Sequence, residues 1–184
     1  MKVLLINGSP HKEGHCERAL GIMEEVFSAE GLSVRKWRIT DFLPNGCTAC
    51  GGCKSGGECV FKDISELSRS FRTAGGLLIA SPVYYGSPNG RLIAILDRLF
   101  QSTKFDKRMK VGAAFVTARR GGCTASFDVI NKYFSISEMP IATSNYWNMM
   151  HTGEDAEGER TAKRLAENMA YLIKAINLAK STLA

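Results

Sequence analysis

Short, continuous apolar runs alternate along the chain with longer stretches in which apolar residues recur every three or four positions. The short runs are typical of strands in a parallel sheet covered on both faces, because neither face of such a strand meets water. They predict five strands, over residues 3–6, 34–39, 77–80, 111–116 and 141–144.

The longer stretches have the spacing of amphipathic helices. The first has apolar residues from Ala19 to Phe27 and stops at Gly31, and others cover residues 64–71, 92–99, 127–134 and 165–176. Strands that alternate with helices predict a parallel sheet wrapped on both faces. We therefore expect an α/β fold, a flavodoxin-like three-layer α/β/α sandwich whose five-stranded parallel sheet has the order 2-1-3-4-5.

Loops fill the remaining segments, at residues 82–90 and 119–122 and in a Gly- and Cys-rich stretch over 41–59 that cannot be regular throughout. In a sheet of this kind the ligand lies outside the carboxyl ends of the strands. The loops over 9–16, 82–87 and 118–122 each follow a predicted strand, so we expect them to converge at one edge of the sheet.

The first of these loops has the chemistry of a phosphate site. Gly8 permits a tight exit from the strand, Ser9 offers a hydroxyl, and Gly14 lets backbone N–H groups approach an anion. A helix that begins near His15 or Cys16 would add free N–H donors and a favourable dipole. The loop is neither G-x-G-x-x-G nor G-x-x-x-x-G-K-[ST], and on spacing alone an ordinary strand-to-helix turn remains the alternative.

Composition limits the class of protein. With 184 residues, 20.1 kDa and 45% hydrophobic residues, the chain predicts a single domain over 1–184. No apolar run reaches about 18 residues and no signal peptide is evident, so we expect a cytoplasmic protein with no membrane partner. The net charge is +6, but the basic residues are spread along the chain, which indicates a mildly basic surface and no nucleic-acid partner.

Four segments together resemble the NADPH-dependent FMN reductase family, which has a flavodoxin-like fold. They are GSPHKEGHC, SPVYYGSPNGRLIAILDR, VTARRGGCTASFDVINKYF and NYWNMMH, in that order. The resemblance implies an FMN phosphate site at Ser9, His11, Gly14, His15 and Cys16. It also implies that Pro82, Val83, Tyr84, Tyr85 and Gly86 lie against the ring and ribityl chain, with Ala118, Arg119 and Gly121 near the pyrimidine end.

The loop departs from the usual family pattern at its two ends. His11 and Lys12 follow the proline where the family often has Arg or Lys first, and His15 with Cys16 replace the usual Asn-Thr or Ser-Thr. A thiol is a weaker donor than a threonine hydroxyl. Phosphate binding should therefore rest mainly on backbone N–H groups, His11 and Lys12.

The function implied by the resemblance is an FMN-dependent oxidoreductase that takes electrons from NAD(P)H and passes them to a flavin, a quinone or another small acceptor. Hydride transfer to the flavin is the cofactor's chemistry, so no catalytic acid or base is expected. FMN is preferred to FAD because only one phosphate loop is evident. The resemblance also implies a homodimer or homotetramer in which Tyr146 and Trp147 contribute to a neighbouring subunit's site, the alternative being core packing; His151 is a surface or partner-site residue.

A cysteine cluster is the second chemical signal, within the Cys-rich loop over 44–60. Cys47, Cys50, Cys53 and Cys59 have the spacing C-x2-C-x2-C-x5-C. Such spacing can wrap thiolates around a compact cluster, and the resemblance to the iron–sulfur flavoproteins of this family implies a [4Fe-4S] site. An electron carrier or redox sensor is then the alternative function. Free thiols, including a redox-active pair, are the alternative for the cysteines.

Three further residues are expected to have no chemical role. Cys123 is predicted to be a small loop residue. Asp97 and Arg98 are predicted to cap the end of their helix or to form pairs there, which is a structural role.

Overall fold

A parallel sheet with helices on both faces forms the core of the protein, which we describe from a computed structural model over residues 1–182. Leu183 and Ala184, which the predicted domain includes, lie outside the described residues. The strands are β1 Lys2–Asn7, β2 Ser33–Arg38, β3 Gly76–Tyr84, β4 Ser87–Pro88, β5 Val111–Ala118 and β6 Met149–His151. The helices are α1 His15–Ala29, α2 Gly52–Gly56, α3 Ser65–Thr73, α4 Gly90–Ser102, α5 Cys123–Ile136 and α6 Ala156–Thr182, with short 3₁₀ turns at Ile39–Asp41 and Lys62–Ile64.

The sheet order is β2-β1-β3-β5-β6, and every neighbouring pair in this path is parallel. Because β4 pairs only with the end of β3, the five parallel strands have the predicted flavodoxin-like order. The carboxyl ends of β1, β3 and β5 therefore lie side by side, and the loops that follow them meet there.

Apolar residues fill both faces of the sheet. On one face α1 and α6 pack over Val3, Leu5 and Leu78, and on the other α3, α4 and α5 pack over Leu4, Ile6 and other alternate positions. Such double coverage explains the continuous apolar runs, because successive strand residues point into opposite layers. The predicted three-layer sandwich is confirmed.

The prediction of a fifth strand over 141–144 was wrong. Ile141 makes only an isolated bridge to Gly112, and regular pairing with β5 resumes at β6. Between these two points the backbone leaves the sheet, and two of its carbonyls accept hydrogen bonds from side chains. Asn148 Nδ2 donates to the Ala142 carbonyl at 3.3 Å, and Asn168 Nδ2 donates to the Thr143 carbonyl at 2.8 Å.

The segment 82–90 is also more regular than the predicted loop. β3 continues through Tyr84, and Tyr84 pairs with Ser87 across a two-residue turn. Tyr85 and Gly86 both have positive φ, at 50° and 74°, which is the signature of a type I′ hairpin turn. The segment is thus a short hairpin at the edge where the ligand is expected.

A smaller difference concerns one of the helices. α5 begins at Cys123, four residues before its predicted start, so this cysteine is buried in the first helical turn and does not lie in a loop. Within residues 1–182, no helix is both long and apolar enough to span a membrane.

Candidate functional site

The loop from β1 to α1 is held tightly against the sheet. The Gly8 N–H donates to the Ala80 carbonyl at 2.7 Å, and a Cβ at Gly8 would lie 2.6 Å from that oxygen and 2.7 Å from Leu92 Cδ2. Only glycine fits such a close approach. After it, the Asn7 side chain accepts from the Ser9 N–H at 2.9 Å, and Ser9 Oγ accepts from the His11 N–H at 3.2 Å.

A charged network behind the loop fixes it in place. Glu17 accepts hydrogen bonds from Asn7 Nδ2 at 2.5 Å, Lys36 Nζ at 2.5 Å and Arg38 at 2.9 Å. Arg38 also donates to the carbonyls of His11 at 3.3 Å and Lys12 at 3.0 Å. Partial burial acts to raise the pKa of Glu17, but the bonds from Lys36 and Asn7 outweigh it and hold the pKa below its usual range.

The start of α1 is open to an anion. No side chain caps Gly14, and the intrahelical bond from Arg18 N–H to Gly14 O, at 2.9 Å, leaves the N–H groups of the first turn facing outward. Beside them, the Nδ1 of His15 is buried and has no hydrogen-bond partner in the described chain. Free N–H groups, the helix dipole and an unpaired imidazole nitrogen together fit a phosphate group.

A cleft of about 420 Å³ connects this loop to the loops after β3 and β5. Most of the predicted flavin contacts line it, namely Ser9, His11, Gly14, His15, Cys16, Pro82, Val83, Tyr84, Ala118 and Arg119. Glu13, Thr117 and Thr152 line it as well and were not predicted. Tyr85, Gly86 and Gly121 do not line the cleft, although they lie in the same loops.

The two neighbouring tyrosines differ in their surroundings. Tyr84 is 41% exposed and forms part of the cleft wall, whereas Tyr85 is fully exposed at the tip of the hairpin. Partial burial raises the pKa of Tyr84, so its hydroxyl is protonated at neutral pH. Tyr84 can therefore offer both an aromatic surface and a donor to a flat ligand, and Tyr85 cannot do so within its own chain.

The Cys16 thiol does not face the anion site. It is buried, and its Sγ lies 3.2 Å from Thr117 Oγ1 at the end of β5. Burial raises the pKa of Cys16 to about 12, so the group is a neutral thiol that packs α1 against the sheet. Only the backbone N–H of Cys16 is available to a phosphate.

The four predicted ligand cysteines line a second, separate cavity of about 310 Å³, together with residues of α4. Cys47 and Cys50 are exposed, and Cys53 and Cys59 are half-buried. Over residues 1–182, no three His, Cys, Asp or Glu side chains are grouped closely enough to hold a single metal ion. A four-iron cluster has a different requirement, because each thiolate binds its own iron and the thiols must surround a space.

Arg98 closes the base of the cysteine loop. It pairs with Asp63 at 2.7 and 3.0 Å and donates to the Leu43 carbonyl at 2.9 Å, while Asp63 accepts from the Leu43 N–H at 2.8 Å. Leu43 and Asp63 stand at the two ends of the loop, so Arg98 fastens both ends to α4. Of the two roles predicted for Asp97 and Arg98, capping the helix end is not seen, whereas pairing is: Arg98 pairs with Asp63, and Asp97 accepts a hydrogen bond from the Tyr133 hydroxyl.

Thiols are the groups in the cysteine cavity that suit a soft metal centre. Its polar lining besides the thiols comes from Thr48, Lys54, Arg98, Gln101 and Ser102, and it holds no carboxylate that would favour a hard cation. Thiol ligands, a positively charged neighbour and a closed loop base fit an iron–sulfur cluster in their chemistry.

Comparison with known proteins gives the family. Residues 1–154 match the sequence profile described as NADPH-dependent FMN reductase. An iron-sulfur flavoprotein of Methanosarcina thermophila is 30% identical over 187 residues, which cover 96% of this chain and 97% of that protein. An iron-sulfur flavoprotein of Methanocaldococcus jannaschii is 28% identical, with 96% and 99% covered.

Solved structures agree with the fold. FerB, a flavoenzyme NAD(P)H:(acceptor) oxidoreductase from Paracoccus denitrificans, superposes with a TM-score of 0.70 at 16% identity and covers 96% of this chain and 97% of its own. A flavodoxin from the domain Archaea gives a TM-score of 0.68 at 14% identity, with 95% and 99% covered. At such identities the likeness concerns the fold alone.

Proposed function

Because the chain belongs to the NADPH-dependent FMN reductase family, we propose that it is an FMN-dependent oxidoreductase that takes electrons from NAD(P)H and passes them to a flavin, a quinone or another small acceptor. The observation that carries the proposal is the cleft in which an uncapped helix start, the Tyr84 hairpin and the end of β5 meet. FMN binding is a property of the family, and the cleft has the parts that this cofactor requires.

We assign the parts of FMN to the lining residues as follows. The N–H groups at the start of α1, with His15 Nδ1, hold the phosphate; Glu17 and Arg38 keep the loop in shape without touching it. Pro82, Val83 and Tyr84 lie beside the ring, and Ala118 with Arg119 closes the opposite side. When bound, FMN supplies the redox chemistry, because it can accept a hydride and release electrons one or two at a time.

The protein groups bind and orient the cofactor and need not act as acids or bases. The lining titratable groups that carry a resolved shift, Cys16 and Tyr84, both have a raised pKa and stay neutral at pH 7. His151 lies at the surface, 3.7 Å from Asp155, and has no contact with the cleft. The exposed mouth beside Tyr84 leaves room for the nicotinamide donor to reach the ring.

A second candidate function is supported by the cysteine cavity. Cys47, Cys50, Cys53 and Cys59 surround one space, and the relatives above are named iron-sulfur flavoproteins. We propose that these four thiolates hold a [4Fe-4S] cluster, which supplies one-electron transfer when bound. In that case the protein serves as an electron carrier or redox sensor between FMN and a partner, with little turnover of NAD(P)H.

Sustained turnover separates the two functions. We expect purified, FMN-loaded protein to oxidise NADH or NADPH continuously when a quinone or free flavin is supplied, and flavin-free protein to show no such oxidation with the quinone. The measurement is the loss of nicotinamide absorbance under anaerobic conditions. Reduction of only the bound flavin, with no further oxidation after acceptor is added, would contradict the reductase and favour the carrier.

The proposed homodimer or homotetramer rests on exposed aromatic residues. Tyr146 and Trp147 are 53% and 54% exposed, stack with ring centroids 5.0 Å apart and lie where the chain leaves the sheet. Core packing, the alternative for these residues, is therefore wrong within the subunit. Their contribution to a neighbouring subunit's site stays a prediction.

A further inference from the structure

The Arg98 side chain is the one fully buried cation of the cysteine cavity. Its side chain has no exposed surface, and it lines the same space as the four cysteines. Two of its nitrogens are engaged with Asp63 and Leu43. The third, Nε, is buried and has no hydrogen-bond partner within residues 1–182.

An unpaired N–H on a buried guanidinium costs free energy, since the group has lost its water without gaining another acceptor. The Phe61 ring covers one face of the guanidinium, with its centroid 5.5 Å from Cζ, so water has little access from that side. The side chains that line the cavity offer oxygen acceptors on Thr48, Gln101 and Ser102 as well as the four sulfur atoms, and none of them accepts the Nε–H. A buried cation that lines this cavity and keeps one unpaired N–H suits a ligand that carries negative charge.

We propose that Arg98 sets the reduction potential of the four-cysteine site, with its charge and its free Nε–H stabilising the reduced state of a bound iron–sulfur cluster. The inference rests on the cluster proposed above. Reduction of the site adds one electron and hence one unit of negative charge, and no bond is broken. A nearby cation favours that added charge, and hydrogen bonds to the sulfurs act in the same direction.

Asp63 makes the proposal testable, because it partly cancels the charge of Arg98. Burial acts to raise the pKa of Asp63, but the hydrogen bonds from Arg98 and the Leu43 N–H outweigh it, so the carboxyl is ionised at neutral pH. Asp63→Asn would leave the Arg98 cation uncompensated. Arg98→Gln would leave the Asp63 anion uncompensated. Both substitutions break the same ion pair, yet they change the local charge in opposite directions.

The test is an anaerobic, dithionite-driven potential titration of protein reconstituted with iron and sulfide, followed by the visible and paramagnetic signals of the cluster. We expect Asp63→Asn to shift the reduction equilibrium at least tenfold toward the reduced form, about 59 mV for a one-electron couple. Arg98→Gln should shift it at least tenfold the other way. Arg98→Lys keeps the charge and should fall between Arg98→Gln and the parent.

Shifts of the reduction potential that are equal and of one sign in Asp63→Asn and Arg98→Gln, or no shift in either variant, would overturn the proposal. Arg98 would then only hold the two ends of the cysteine loop against α4. If Arg98→Gln does not fold, Asp63→Asn alone tests the proposal, because a lower or unchanged reduction potential in that variant would contradict it. Iron and sulfide are assayed first in the parent protein. Their absence after reconstitution would refute the cluster itself, and this failure is distinguishable from unmoved potentials in iron-loaded protein.

Discussion

Protein carrying Cys53→Ser, produced without oxygen and reconstituted with iron and sulfide, is expected to lose both iron and acid-labile sulfide while it retains FMN. A [4Fe-4S] cluster takes one cysteine on each iron, and a serine hydroxyl is a poor ligand for soft iron–sulfur centres. The cysteine cavity shares no lining residue with the cleft to which we assign the flavin, so the flavin should remain bound. Iron, sulfide and extracted flavin are measured on the same samples.

Cys123→Ala is the control for this experiment. Cys123 is buried at the start of α5 and does not line the cysteine cavity, so its loss should leave the iron and sulfide contents unchanged. A parent protein that carries flavin alone, with Cys53→Ser oxidising NAD(P)H at the parent rate, would contradict the cluster. The simple FMN reductase would then remain.

Gly122→Ala should weaken FMN binding by about tenfold or more and lower the stability of the fold. Gly122 has φ +91°, where an L-residue costs about 1–3 kcal/mol. Its added Cβ would also lie 2.8 Å from Gly86 Cα and 2.9 Å from Val83 Cγ1. The hairpin that carries Tyr84 must then move away from the end of β5, which widens the cleft.

The neighbouring glycine provides a matched control. A Cβ at Gly121 would meet nothing within 4 Å, and this residue has no positive φ. Gly121→Ala should therefore keep parent affinity for FMN in a fluorescence titration and the parent midpoint in thermal unfolding. Equal effects of the two substitutions on affinity would show that contact between the two loops does not shape the site.

The parts of the fold predicted correctly are those that local pattern determines. The buried run before Gly8 and the helical spacing after Gly14 locate β1 and α1, and the order of strands and helices then determines the layers. The loop between them was located from the same segment, and its role in phosphate binding stays a prediction. These features depend on residues within a few positions of one another, so a single sequence reveals them.

The errors arose where distant residues decide the structure. Residues 141–144 have the composition of a strand, but the carbonyls of Ala142 and Thr143 accept hydrogen bonds from the side chains of Asn148 and Asn168. No pattern within residues 141–144 indicates these bonds. The Tyr85-Gly86 turn lacks the usual Asn-Gly signal. The consecutive positive φ values at Tyr85 and Gly86 appear only in the structure.

Charged residues that support the two sites were missed for a similar reason. Glu17 could have been noticed as an acidic residue in the first turn of α1, but nothing in the sequence joins it to Arg38 on β2. Asp63 and Arg98 are 35 positions apart. Such pairs form only in the completed fold. The sequence therefore predicted only that Arg98 caps the end of its helix or forms a pair there, and it did not identify Asp63 as the partner.

The most direct test of the central claim is a titration of flavin-free protein with FMN, FAD and riboflavin, followed by flavin fluorescence. We predict stoichiometric binding of FMN at least tenfold tighter than that of riboflavin, because we assign the phosphate to the uncapped start of α1 and to His15. FAD should bind more weakly than FMN. Equal affinity for FMN and riboflavin, a clear preference for FAD, or no flavin binding at all would contradict the flavin site described above.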